Sequence, residues 1–593
     1  MNQLSKLLFP LLIVFILLSA CGSDNNSGNN TGEKANAKLT AATGGVYYGG
    51  IFRMNEDEYL RSLYPLNIGE VVGHRIANQI YEGLVMLNQE TLTIEPAIAE
   101  SWTVNEDATQ YTFTIRKGVK FHNDECFEGG KGREVTARDV KYCLDRLCSY
   151  ATDNKGYDFV KDRIIGAEKQ HEATEKGQQP EGGVEGVKVI DDYTIQISLQ
   201  KPFSSFLHIL AMPFGYVFPQ EAVEKYGLDM RSKTVGTGPF YLKRLSEDEA
   251  VILLKNPNYW GMDENGNQLP YLDGIRFSFI KDQMAGMLEF KNGNIDMVYR
   301  LPLQLSDEIV DRNGKLTAEY SQFQFQEKAA MSVEYYGFLN TGEMFKNKLA
   351  RQAFCYAIDR QKIVDFTLKG AGVPGNYGIV PPSFANYDAT KVKGYEYNPD
   401  KARRLLGEAG FPNGKGFPKA TLQINSGGTR NEQVAEAIQK MISETLNIDI
   451  DIIKMPFAQH LENTEAGKFN LWRAGWIADY PDPENFLNLL WGAHLPEDPS
   501  EGTEYLNTFR YRSETFDKLF EEALRTVDDA KRMELYQQAN QTAINDAPLL
   551  PIYYNKDRRL LQPYVRNFPQ NAMEYRNLRS THFVPDSDKV AAK

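Results

Sequence analysis

FNLWRAGWIADYPDPENFL, residues 469–487, sets two tryptophans, an arginine and a lone acidic residue ahead of a proline turn. If residues 473–479 are extended, six steps of about 3.3 Å put Arg473 and Asp479 on one face, roughly 20 Å apart. Trp476 then falls on the opposite parity, as a pocket wall or as ordinary core. Asp479 has two readings: it starts the turn YPDP, as Asp commonly does, or it answers a charge that arrives from elsewhere.

The neighbouring chain alternates helix and strand. Upstream, NEQVAEAIQKMISETLNIDIDIIKM carries Val434, Ile438, Met441 and Ile442 at helical spacing, then Ile448, Ile450 and Ile452 at the period of a strand. Before it, NPDKARRLLGEAGF offers Asn398 as cap, Pro399 at the first helical position and Gly410 as terminator. Downstream, helices fit 514–527 and 530–545, Pro548 ends the second, and PLLPIYY reads as a late strand. In the first half, YTFTIRKGVKF from Tyr111, YTIQISL from Tyr193 and AVILLKN from Ala250 read as strands. TARDVKYCLDRL reads as a helix capped by Thr136 with Asp139 three residues on. The polar stretch 166–186 reads as surface loop. At 593 residues the chain exceeds one hydrophobic core, so two or three α/β domains are expected.

The N-terminus reads as an export leader. Lys6 precedes the apolar run LLFPLLIVFILL, too short to span a bilayer, and LSAC ends it. LSAC resembles a bacterial lipobox, which implies that Cys21 becomes a lipidated first residue. Losing Lys6 with the leader takes the formal charge from -13 to -14. Residues 22–45, GSDNNSGNNTGEKANAKLTAATGG, lack aromatic residues, Ile and Val and read as a flexible tether of roughly 25–30 Å reach. Cys126, Cys143, Cys148 and Cys355 remain; Cys126 with Cys143 is a conceivable pair, and free buried thiols are the favoured reading.

Composition narrows function by exclusion. The acidic balance opposes a phosphate-neutralising surface, so nucleic acid is not an expected partner. GxSxG, HExxH and a complete P-loop are absent; GFPNGKGF at 410–417 lacks the Ser/Thr after Lys415. FHNDEC, with His122, Asp124 and Cys126, has no recognisable metal spacing and reads as structural. No motif supports catalysis, and no cofactor or metal is implied.

RAGWIADY resembles the lipid-anchored solute-binding proteins of ABC importers, in the oligopeptide and dipeptide-binding family (family 5). Further segments resemble that family in the expected order: PLNIGEVVGHRIANQIYEGLV, PAIAESWTVNEDATQYTFTIRKGVKFHNDE, TARDVKYCLDR, VGTGPFYLK, NPNYWG, FKNGNIDMV, ARQAFCYAIDR and NPDKARRLLGEAGF. The resemblance implies a two-lobed α/β fold of the periplasmic binding-protein kind, with an extra domain in the N-terminal lobe. It implies leader 1–20, tether 21–45, first lobe 46–81, extra domain 82–187, first lobe again 188–305, second lobe 306–547 and a return to the first lobe over 548–593.

In that family the peptide lies extended between the lobes and pairs with protein strands through its backbone. Carried over, Val71 falls on the strand at one side, and Gly475 and Ile477 fall on the other. Asp479 matches the acidic residue that receives the peptide α-ammonium. Arg473 matches an arginine that meets a ligand carboxylate or braces Asp479, and Trp476 is a pocket wall or core. Departures exist: Thr464 stands where some relatives have a second arginine, NDECFEGGKGREVT exceeds the usual short turn, and residues 151–186 match nothing. The expected protein is a monomeric, non-catalytic receptor held at the cell envelope by its lipid. It would take short peptides and hand them to an ABC permease. The alternatives are a non-peptide solute (metal chelate, haem or sugar), or a peptide-sensing lipoprotein.

Overall fold

The computed structural model describes residues 39–585 apart from 248, 312–313, 427–428, 497 and 499–505. The leader and Cys21 lie outside the described residues. The expected tether is too long: Thr40–Ala41 pairs antiparallel with Tyr47–Tyr48, and the Thr43 amide donates to Asn267 Oδ1 at 3.2 Å. Backbone pairing thus orders residues whose composition alone reads as solvated.

Local signals hold where a cap and an apolar stripe coincide. Ala137–Leu147 is a helix with a reciprocal Thr136–Asp139 capping box, burying Val140, Cys143, Leu144 and Leu147. Asn398 accepts from the Lys401 amide at the start of Pro399–Glu408. Thr429–Leu446 leads into the strand Ile450–Met455. The polar stretch 166–186 instead contains a helix, Ala167–Glu175. Its helix-forming residues bury only Ala167 and Gln170, so it lacks the apolar stripe by which helices are recognised.

The framework of this α/β protein is a mixed eleven-stranded sheet. It runs Phe240–Ser246, Ala250–Lys255, Gly274–Phe279, Ile51–Glu56, Met297–Tyr299, Leu549–Leu561, Gln324–Phe338, Leu471–Ile477, Ala420–Asn425, Ile450–Met455. Gly372–Pro374 pairs beside Leu549–Leu561 off that path. Two long antiparallel strands, Gln324–Phe338 and Leu549–Leu561, join the two halves. Near residue 561 the second of them pairs with Met297–Tyr299, while toward the opposite ends the first pairs with Leu471–Ile477 and the second with Gly372–Pro374. The register breaks between Ala329 and Val333, where the chain passes from one half to the other.

These pairings revise the expected borders. A separate antiparallel sheet orders Ala99–Val104, Gln110–Ile115, Thr194–Ser198 and Val187–Asp191, so a border at 187 cuts a hairpin and belongs beyond residue 198. Ile309, Val310 and Tyr320 pack with Met287, Phe290, Val298 and Leu560, so residues 306–320 stay with the first half. The crossings near 330 and 555 lie inside continuous strands, which carry no composition break. At the first half's centre, Glu56 receives Arg75 at 2.7 Å and Arg576 at 3.0 Å, tying the C-terminal segment to the first strand. All three side chains are buried, and each charge has a partner, as desolvation demands.

Candidate ligand-binding site

The strand Leu471–Ile477 is built to be covered at one end and open at the other. Leu471 and Trp472 are buried, whereas Gly475 and Ile477 are exposed. Along one edge it pairs antiparallel with Gln324–Phe338, from Leu471 opposite Phe338 to Ile477 opposite Ser332. Along the other, Leu422 and Gln423 pair only with Leu471 and Trp472. His460 Nε2 donates to the Arg473 carbonyl at 2.9 Å; burial pushes this imidazole down to about 4, so it is neutral and Nδ1 accepts from Gln423 at 2.7 Å. Beyond Arg473, among the described residues, no strand pairs with the second edge.

Arg473 stands opposite Tyr336, and Glu334 opposite Gly475. This diagonal brings the Arg473 guanidinium and the Glu334 carboxylate into an ion pair, both side chains largely buried. Gly475 makes room for it: a Cβ there would stand 2.9 Å from both Glu334 carboxylate oxygens. Arg473 Nη1 also donates to Asn425 Oδ1 at 3.0 Å. Arg473 is therefore braced by Glu334 and Asn425, and the expected brace between Arg473 and Asp479 is not the arrangement found.

Asp479 sits two residues past the strand, because extended chain ends at Ile477 and not at 479. Its amide donates to Asn485 Oδ1 at 3.0 Å, Asn485 Nδ2 donates back to its carboxylate at 3.2 Å, and Trp476 Nε1 donates to the same Asn485 oxygen at 2.9 Å. Asn485 thus ties Trp476 to Asp479. The turn-starting role falls to Asp482, whose Oδ1 accepts from the Glu484 amide at 2.9 Å. Asp479 keeps some contact with water, yet the surrounding protein pushes its carboxyl up to about 6, against the lowering effect of Asn485. No cation pairs with it among the described residues. A carboxylate so placed is destabilised when ionised and is stabilised by an incoming positive charge.

Other expected residues land elsewhere. Val71 is not on a strand; it opens the helix Val71–Ile80, whose Val72, Ile76, Ala77 and Ile80 recur at helical spacing and are buried. Its side chain is exposed. Thr464 is buried, donating to the His460 carbonyl at 2.8 Å and accepting from Gln423. His122 is bonded at both ring nitrogens to backbone, Nε2 to the Gly238 carbonyl and Nδ1 to the Gly236 amide, a structural role. Cys126, Cys143, Cys148 and Cys355 are all free thiols.

Sequence reasoning missed Glu334, Asn425 and Asn485, which complete the site's charges and hydrogen bonds. It also missed Tyr553, buried within the field of Glu334 and Arg473. Glu334 lies 139 positions from Arg473, and no spacing rule spans that separation. Asn485, six positions beyond Asp479, was within reach of a search for a turn partner.

The profile of the bacterial extracellular solute-binding proteins, family 5 middle, matches residues 93–494, about two thirds of the chain. The chain belongs to that family. It is 29% identical over 510 residues to haem-binding protein A of Haemophilus influenzae, covering 84% of this chain and 86% of that one. It is 28% identical over 522 residues to the periplasmic oligopeptide-binding protein OppA of Salmonella typhimurium, covering 87% and 89%. Among solved structures, the periplasmic binding protein DppA of Helicobacter pylori with the peptide STSA superposes with a TM-score of 0.75 at 26% identity, covering 90% of this chain and 98% of that one. The fold is thus the two-lobed solute-binding one. The family is one of transport components, and its members include proteins named for peptides, haem and glutathione.

Proposed function

We propose that the protein is an envelope receptor, lipid-anchored through Cys21, that captures short peptides by their free amino terminus and delivers them to an ABC permease. The observation that carries this is Asp479: a crowded carboxylate that, among the described residues, has no cation and follows a strand whose outer edge is unpaired beyond Arg473. A peptide lying along Ala474–Ile477 satisfies that edge through main-chain hydrogen bonds, with no demand on its side chains. Its α-ammonium then neutralises Asp479, a carboxylate crowded by protein and so stabilised by a paired cation. Arg473, already neutralised by Glu334, adds donors without adding net charge, and Trp476 forms a wall fixed by Asn485.

Calorimetric titration with a library of short peptides, beside the same library N-acetylated, tests the reading. Binding of the free library alone supports it. Equal binding of both removes Asp479 as the anchor, and binding of neither favours a non-peptide solute.

A further inference from the structure

Away from that strand, a cavity of about 450 Å³ lies between the helix Ala137–Leu147 and the segment 149–183. Most of this segment falls within 151–186, which matched no family motif. Among its walls are Tyr64, Leu66, Tyr142, Arg146, Asp153 and Gln170. The size is that of a small-molecule pocket.

Two charges in this wall are unmatched. Arg146 Nε donates to the Tyr64 hydroxyl at 3.1 Å, and its guanidinium lies 5.9 Å from the Tyr142 ring centre. Among the described residues, no carboxylate pairs with it, although Asp145 is its chain neighbour; Asp145 is taken by Lys141 at 3.0 Å. Asp153 is half-buried and pairs with no cation among the described residues. Tyr64 lies within the field of both groups, yet the two do not join. Arg146 sits in the last turn of its helix, where the dipole favours a cation. That accounts for the arginine and leaves Asp153 unexplained. Also in the wall, Gln170 is 3% exposed; its amide donates to Ser149 Oγ at 3.0 Å while Oε1 has no partner among the described residues.

Opposite, unjoined charges around one cavity are complementary to a molecule that carries both. We propose that this cavity is a second binding site, for a free α-amino acid. The ligand carboxylate meets Arg146 in the planar geometry that guanidinium favours. The ammonium meets Asp153, and an apolar side chain lies against Leu66 and the tyrosine rings. The site is independent of Asp479 and of the peptide reading.

Calorimetry and thermal shift of the full chain with L-leucine, N-acetyl-L-leucine and L-leucine methyl ester test this. The zwitterion is expected to bind and neither derivative is. Asp479→Asn is expected to leave the L-leucine response unchanged. Arg146→Gln and Asp153→Asn are each expected to weaken it by at least about tenfold, as loss of one charge-assisted contact implies. Asp153→Asn alone decides the matter where Arg146→Gln does not fold. Absence of any L-leucine response overturns the proposal. So does a response that survives Asp153→Asn, one that vanishes in Asp479→Asn, or equal binding of either derivative.

Discussion

Asp479→Asn separates binding from folding in a single substitution. Asparagine keeps an oxygen to accept from Asn485 Nδ2, and the backbone bond to Asn485 Oδ1 is untouched, so the turn retains its hydrogen bonds. What is lost is the negative charge. In the proposed peptide complex that would leave the ligand ammonium unpaired, which costs roughly 3 kcal/mol once the remaining water around Asp479 is allowed for, or about a 100-fold weakening. In the unliganded protein the sign reverses. Burial holds this carboxyl at about 6, above its ordinary value. The ionised form therefore disfavours the fold at neutral pH, a penalty absent below the ordinary carboxylate range and complete above about pH 6. Removing the charge should stabilise the empty protein at neutral pH by about 1 kcal/mol, as expected of a group kept for binding at a cost in stability. Titration calorimetry with free-amine peptides and thermal denaturation without ligand read the two effects. Unchanged peptide affinity together with a lower melting temperature would refute the reasoning, because Asp479 would then be a structural carboxylate.

Affinity for free-amine peptides should fall as pH drops through about 6, because the ligand's ammonium stays charged while Asp479 gains a proton; calorimetry across about pH 5 to 7, with Asp479→Asn as a flat control, measures it. Glu334→Gln leaves the Arg473 guanidinium short of its counter-charge in a largely buried place and should cost about 3 kcal/mol in urea denaturation. Asn485→Ala removes the oxygen that accepts from both the Trp476 N–H and the Asp479 amide, so it should lower stability by about 2 kcal/mol and weaken peptide binding as well. A purely structural Asn485 would show the first effect without the second.

Legibility divided along the distance between interacting residues. The helix Ala137–Leu147, the cap at Asn398 and the strand Ile450–Met455 were readable because each rests on residues within a turn or two of one another. Resemblance supplied Asp479 and the family, and composition alone would not have singled out that carboxylate in so acidic a chain. Val71 was misplaced onto a strand although its own segment repeats apolar residues at helical spacing, so the local pattern was the better guide there.

By itself the sequence determined the helices and strands that carry a clear apolar stripe, and which side of each is apolar, since the periods of 3.6 and 2 are local geometry. Only the tertiary structure decided that Glu334 rather than Asp479 answers Arg473, that Asn485 ties Asp479 to Trp476, and that Asp479 has no cation among the described residues. It also decided that the halves join inside the long strands Gln324–Phe338 and Leu549–Leu561. The physical reason is the same in each case: a charge is satisfied or stranded by what stands within a few ångströms, and those neighbours come from strands far apart in the chain.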